Sequence, residues 1–382
     1  MMGPIIRTLV PMACDGNGPS FTCVNLLRGM KSAGLDTHLY VTRNRLSIGD
    51  LPHANAVPSF LSWVPYTFVE APASRRIENW FLSDIKPGEL AYLWPAASLD
   101  AHRQVYKQGN PIIMEAINTR MLRAKEILDQ AYEDFGSAPQ HSITRKRIEE
   151  EEIKLEYASA IFTSNREVEK ALQGSHAQNK ILSSSYGINL RNASPQRNYE
   201  EKKSLKYMFC GFACVRKGVH FLLEAWKKMP ENHQLILVGD IEPIIRDKYS
   251  DLLSSEHVKC VGFVKNVHPW LADADVFVFP SLEEGGPQVT FEAAMHGLPI
   301  IASPMGASRL GEIEGTMEIV NPTHVEAMLE KMLSLSCAEK RAKLGRKARE
   351  EVEQFDWMKI GARRTTLLAD FFHFETPLNF ER

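Results

Sequence analysis

The sequence predicts an α/β protein of two domains, each a parallel sheet flanked by helices, facing each other across a cleft. Three observations carry this reading. Strand-like and helix-like segments alternate through the first half of the chain. The alternation restarts after residue 205, and a polar stretch, 192–204, which holds Pro195, separates the two series. The expected divisions are a first domain over 1–195, a second over 196–355, and a terminal helical segment over 356–382.

In chain order, residues 5–10 are an apolar run that reads as a buried first strand. The opening has neither the basic stretch nor the long apolar core of a signal peptide. A helix is expected over 20–33 and strands over 37–42 and 90–94. A helix over 99–108 follows, then a strand over 111–117, helices over 120–135 and 142–158, a strand over 160–164 and a helix over 166–172. After the polar joint, strands are expected over 207–211, 234–238, 258–261, 276–279 and 300–302. Helices over 221–228 and 327–335 carry apolar residues at helical spacing, and an aromatic-rich helix covers 357–372. Ligands of open α/β sheets bind at the carboxyl ends of the strands, so a site is expected in the cleft.

The 382 residues are 44% hydrophobic and 24% charged, with net charge −2. That balance suits a soluble globular chain and gives no electrostatic case for nucleic acid as a partner. Six cysteines are scattered without ligand spacing, which points to free thiols in a reducing compartment and to no metal site. No segment has the roughly 18 apolar residues of a membrane span. The expected location is the cytoplasm. Peripheral contact with the inner face of a membrane is suggested by Arg75, Arg76, Trp80 and Phe81, and by Arg120, Arg123 and Lys125, since bases interleaved with aromatics suit an anionic bilayer.

The chemistry concentrates in residues 280–299, PSLEEGGPQVTFEAAMHGLP. A strand ends at Pro280, a Gly285-Gly286-Pro287 turn follows, and a helix begins near Gln288. Free amides and the positive end of a helix dipole make an anion site there, with Pro287 suited to the first helical position. Carboxylates at Glu284 and Glu292 beside an anion site suit hydroxyl groups. Together these suggest a nucleotide sugar.

Glu284, seven residues, then Glu292 resembles the E-x7-E signature of the retaining glycosyltransferases of family 4, which have the GT-B architecture. Gly211-Phe212-Ala213-Cys214-Val215-Arg216-Lys217-Gly218 resembles the family's G-R-L-x-x-x-K-G. Leu235-Ile236-Leu237-Val238-Gly239-Asp240 and Val261-Gly262-Phe263-Val264 resemble its strand ends around the nucleotide. The likeness spans nearly all of the C-terminal half and, more loosely, the N-terminal half. It implies a nucleoside diphosphate sugar as donor, a glycan or lipid-linked hydroxyl as acceptor, no metal or other cofactor, and a last helix that crosses back to the first domain. Glu292 would hold the ribose hydroxyls, Lys217 the leaving diphosphate, and Glu284 the transferred sugar, with the neighbouring Glu283 a rival by position alone. Gly285, Gly286, Pro287 and the amides of Gln288 and Val289 would contact phosphate or sugar, and Val264 would line the donor pocket.

The first-domain loop with Gly16 and Gly18 lacks the third glycine of a dinucleotide fingerprint, because Phe21 stands there. Hydride chemistry is therefore not expected, and by resemblance the loop approaches the donor. Two departures stand out. Phe212 occupies the family's arginine position, for which Arg216 is the expected substitute. No histidine follows the 111–117 strand, which leaves Asn118 to contact the donor, with Glu115 an alternative charge. His102 reads as a helix-surface residue, and Tyr186-Gly187-Ile188-Asn189 as a hinge turn. The competing readings are a sugar-nucleotide epimerase and a non-catalytic donor-binding partner.

Overall fold

The computed structural model of the protein describes residues 4–16, 18–46, 48–58, 63–193 and 197–375. Pro195, the 195/196 division, Asn17 of the first glycine loop and the tail from 376 lie outside the described residues.

Two parallel sheets form. The first contains β1 (Ile6–Cys14), β2 (Thr37–Asn44), β3 (His53–Asn55), β4 (Leu90–Leu93), β5 (Ile112–Ala116), β6 (Ala160–Thr163) and β7 (Ile181–Ser183). Their spatial order is β3-β2-β1-β4-β5-β6-β7. The second contains β8 (Lys206–Cys210), β9 (Gln234–Val238), β10 (Val258–Gly262), β11 (Val276–Phe279), β12 (Ile300–Ala302) and β13 (Glu318–Ile319), in the order β10-β9-β8-β11-β12-β13. Both orders are doubly wound, reversing direction beside the first strand of each sheet, where such folds open a crevice.

Helices of the first domain are α1 (Gly18–Ser32), α2 (Tyr66–Asp84), α3 (Leu99–Lys107), α4 (Met121–Phe135), α5 (Arg145–Tyr157) and α6 (Arg166–Leu172). Those of the second are α7 (Val219–Trp226), α8 (Pro243–Lys248), α9 (Ser250–Leu253), α10 (His268–Asp273), α11 (Gln288–Met295), α12 (Val325–Ser334) and α13 (Ala338–Glu351), before the terminal α14 (Trp357–Phe372). Central strands are buried on both faces, as helix-covered parallel sheets require: Phe277, Val278 and Phe279 are fully buried.

The last helix crosses back as expected. α14 lies along α1, where Gly29 and Gly361 bring the backbones together; a Cβ on Gly29 would stand 2.8 Å from the Gly361 Cα. Arg364 then enters the first domain's core with no exposed surface. Its guanidinium donates to both oxygens of Glu115 (2.7 and 3.0 Å), to Tyr92 Oη (3.0 Å), to Ser184 Oγ (3.1 Å) and to the Ser185 carbonyl (3.1 Å). Glu115 is thus the buried ion-pair partner of Arg364. The 186–189 turn packs under the same helix: Ile188 donates its N–H to the Phe355 carbonyl at 2.8 Å, and Gly187 lies against the Trp357 ring.

Other expectations are corrected. His102 is buried, its Nδ1 on the Ser98 carbonyl at 2.8 Å, and burial pushes its imidazole down to about 4. Phe81 is fully buried in the core and so leaves the basic-aromatic surface. Arg120, Arg123 and Lys125 are paired with Glu152, Glu126 and Asp129, which cancels their charge. The described end of the polar joint is bound to the second domain: Arg197 donates to the carbonyls of Leu271, Ala274 and His296, and Tyr199 Oη to that of Gly297.

Candidate active site

The carboxyl ends of β8 and β11 deliver the charged residues. After β8 the chain turns through Gly211 and returns at Arg216 and Lys217. A Cβ on Gly211 would lie 3.3 Å from the Lys217 Cδ, so its absence leaves room for the lysine stem. Gly218 closes the turn with φ +64°, a conformation that favours glycine. A Cβ there would strike the Pro280 carbonyl at 2.1 Å. The spacing of the G-x5-K-G segment therefore threads the lysine across to the end of β11.

Lys217 and Glu284 form an ion pair, and Ser281 Oγ donates to the same Glu284 oxygen at 2.9 Å. Arg216 stands 3.7 Å from that oxygen and donates to the Glu283 carboxylate at 3.2 Å and to the Glu283 carbonyl at 2.9 Å. Arg216 thus stands inside the site, although Phe212, half-exposed, holds the arginine slot of the motif. Glu283 also accepts the Thr119 N–H at 3.1 Å, across from the first domain. It is a buried clasp between the domains and Arg216. Sequence spacing singled out Glu284 and gave no sign of this second function.

The two glycines of the turn are needed for domain contact. A Cβ on Gly285 would lie 1.8 Å from the Ile117 carbonyl and 2.9 Å from the Asn118 nitrogen. One on Gly286 would lie 2.5 Å from Ser164 Oγ. The backbone comes this close to the first domain only because no Cβ intervenes. Asn118, itself exposed, is held against the turn by this contact and by Thr119 Oγ1, which donates to the Glu284 carbonyl at 3.2 Å.

Pro287 is the N-cap of α11, with extended backbone, and Gln288 is the first helical residue, one position later than proline's usual place. No side chain caps this helix start, so the Gln288 and Val289 amides keep their anion-binding capacity. Gln288 Nε2 reaches Thr22 Oγ1, one turn into α1, at 3.4 Å. Gly18 opens α1, and Gly16 precedes it with φ +96°. Two helix N-termini therefore face each other across the cleft.

Glu292 sits one turn into α11, beside Cys210 at the end of β8. Burial pushes its carboxyl above the usual carboxylate range, and Glu292 pushes the Cys210 thiol up further, after burial, to about 12. Such a carboxylate gains most from hydroxyl donors. Val264 lies in the loop after β10, at the sheet edge; β9 connects it to the site through the Gly239 N–H, donated to the Gly262 carbonyl at 2.8 Å.

Ser308 was not anticipated. It is buried, has φ +54° and ψ −161°, and its hydroxyl has no partner. Only glycine occupies that conformation without strain of about 1–3 kcal/mol. The adjacent Arg309 donates to the Ser184 carbonyl at 2.7 Å and pairs with Glu169 of the first domain, and the Met305 carbonyl accepts from Asn165 at 2.7 Å. Ser308→Gly is expected to raise stability by about 1 kcal/mol; an unchanged or lower thermal midpoint would refute the strain.

Residues 205–337 match the family described as glycosyl transferases group 1. An uncharacterized glycosyltransferase of Methanocaldococcus jannaschii is 30% identical over 165 residues, covering 38% of this chain and 40% of that one. The capsular polysaccharide biosynthesis glycosyltransferase CapM of Staphylococcus aureus is 26% identical over 217 residues, 50% of this chain and 57% of that one. The matches thus span less than two thirds of the length of these relatives. Among solved structures, sucrose-phosphate synthase from Thermosynechococcus elongatus superposes with TM-score 0.73 at 20% identity, covering 97% of this chain and 100% of that one. HepE of Anabaena, in complex with UDP-glucose, gives 0.67 at 14% identity, with coverage of 96% and 99%. WaaG, a glycosyltransferase involved in lipopolysaccharide biosynthesis, gives 0.64 at 13%, with coverage of 95% and 99%. These likenesses establish the two-domain GT-B fold.

Proposed function

We propose that the protein is a retaining glycosyltransferase of the group 1, family 4 type, moving a hexose from a nucleoside diphosphate sugar to a hydroxyl of a glycan or lipid-linked acceptor in surface polysaccharide or glycolipid assembly. The observation that carries this reading is the Lys217–Glu284 ion pair on the turn that leads into the uncapped start of α11, with Glu292 buried in that helix. That a similar fold, HepE, was crystallised with UDP-glucose supports a nucleotide-sugar donor.

In this reading Glu292 takes the ribose diol and the Gln288 and Val289 amides take the diphosphate. Lys217 releases Glu284 to neutralise the leaving group, and Arg216 adds the second positive charge that Phe212 does not supply. The acceptor oxygen attacks the anomeric carbon on the face the diphosphate leaves. The carbon–oxygen bond to the diphosphate breaks, and its oxygen takes the acceptor proton, so configuration is retained without an enzymic nucleophile. Asn118 and Glu284 hold the transferred sugar. Lys217, Arg216 and the helix start provide the positive charge, so this route calls for no metal or other cofactor.

The test is a screen of UDP-, GDP- and ADP-sugars for binding and slow diphosphate release, beside Glu292→Ala. Release from one donor that the variant abolishes supports the transferase. Conversion of the sugar without release would replace it with the epimerase. Tight binding with no release in the presence of any hydroxyl acceptor would replace it with the non-catalytic partner.

We place the activity in the cytoplasm, at the inner membrane face. Among the described residues no helix is long and apolar enough to cross a membrane. Trp63 and Phe68, at 78% and 76% exposure, lie on or beside α2 with the exposed Arg75, and Arg76 stacks on Trp80 at 4.5 Å. Arg75→Glu with Arg76→Glu should release the protein from anionic vesicles in low-salt sedimentation; a wild-type protein that stays in the supernatant would remove the membrane contact.

A further inference from the structure

A cavity of about 1120 Å³ runs from Phe212, Arg216, Glu283 and Glu284 into the first domain, between β5, α4 and α5. It meets the donor machinery at Glu284 and Asn118 and leads away from it, and neither Lys217 nor Glu292 lines it. On the reading above, this is the acceptor's side of the cleft.

Its walls are matched to one kind of guest. The cations along it are already engaged. Arg120 makes two hydrogen bonds to Glu152 (2.6 and 2.8 Å), Lys154 donates to the Ala97 carbonyl (2.7 Å), Arg216 to Glu283, and Arg147 to the Ser142 carbonyl and hydroxyl (2.8 and 2.7 Å). Hydrogen-bond acceptors are left over. Glu151 takes the Met121 N–H at 2.6 Å and has capacity for more, and burial pushes its carboxyl up to about 7. Lys154 and Arg147 bond only neutral oxygens, but an added phosphate or carboxylate would lie among Glu150, Glu151, Glu283 and Glu284 and meet more like charge than these two offset. Phe212, half-exposed, gives the same space an aromatic face.

We propose that this cavity takes an uncharged sugar as acceptor, its hydroxyls donating to Glu151 and its apolar face lying on Phe212, and that acceptors ending in a phosphate or a uronate are rejected. The proposal rests on the transferase reading and makes Phe212 a determinant of acceptor choice.

The experiment is saturation-transfer NMR on the full chain with methyl hexosides, the matched methyl uronosides and hexose phosphates as probes. Nucleotide binding by the wild type and by Glu292→Ala is measured in parallel. Neutral hexosides are expected to bind, with at least tenfold preference over the charged probes. Glu151→Ala and Phe212→Ala should each weaken them about tenfold. Because Glu151 also binds the start of α4, thermal midpoints are recorded for both variants, and Phe212→Ala, a half-exposed position, decides if Glu151→Ala is unfolded. Equal or tighter binding of the charged probes, or hexoside binding unchanged by Phe212→Ala, overturns the proposal. So does nucleotide binding without any hexoside binding. Absence of nucleotide binding would instead strike the transferase reading.

Discussion

Lys217→Ala should lower turnover by roughly 10²–10³-fold with a much smaller change in donor affinity, the loss typical of removing one charge aimed at a leaving group. The geometry makes the effect specific. The lysine stem passes close over Gly211, and its ammonium lies 5.0 Å over the Phe279 ring. Arg216 is near but engaged by Glu283. Lys217→Arg should not keep the full rate, because a planar guanidinium does not place its charge as the compact ammonium does against Glu284. The measurement is the initial rate of nucleoside diphosphate formation with the donor found by screening. A rate within tenfold of wild type would remove Lys217 from the chemistry.

Arg364→Ala should cost about 3–5 kcal/mol, because it strands the Glu115 carboxylate in a site with no exposed surface. In a chain of 382 residues that is a fall in thermal midpoint of roughly 4–6 °C. The double variant Arg364→Met with Glu115→Met should recover much of the loss, since an apolar pair of similar volume has no charge to desolvate. Differential scanning calorimetry distinguishes the outcomes. A loss below about 1 kcal/mol from the single change would mean that the pair is not what anchors α14.

What could be read from the chain follows from where the physical signal is local. β11 is a four-residue apolar run closed by Pro280, and the start of α11 carries its own Gly-Gly-Pro punctuation, so both were legible. β3, β7 and β13 are two or three residues each and lie toward sheet edges, where too few side chains are buried to leave a pattern. α2 was missed because it contains Pro72 and buries only Ala73, Ile77 and Phe81 of its nineteen residues. The Arg364–Glu115 pair joins residues 249 apart, and the contact of Thr119 with Glu283 joins residues 164 apart; neither leaves a trace in local sequence. Gly285 and Gly286 were legible as a turn. Their tight fit against Ile117 and Ser164 depends on a neighbouring domain and was not.

The docking of α14 on α1 means that spatial order and order of synthesis disagree. The first domain's groove beside Gly29 and the charge of Glu115 are translated long before Gly361 and Arg364, with the whole second sheet in between. At about 5–20 residues per second, the nascent first domain waits roughly ten seconds to a minute for its last piece. During that interval it carries an uncovered apolar groove, the kind of transiently exposed surface that makes chaperones necessary, and a Glu115 without its partner. A gene rearranged to place the α14 segment ahead of β1 would deliver both partners together.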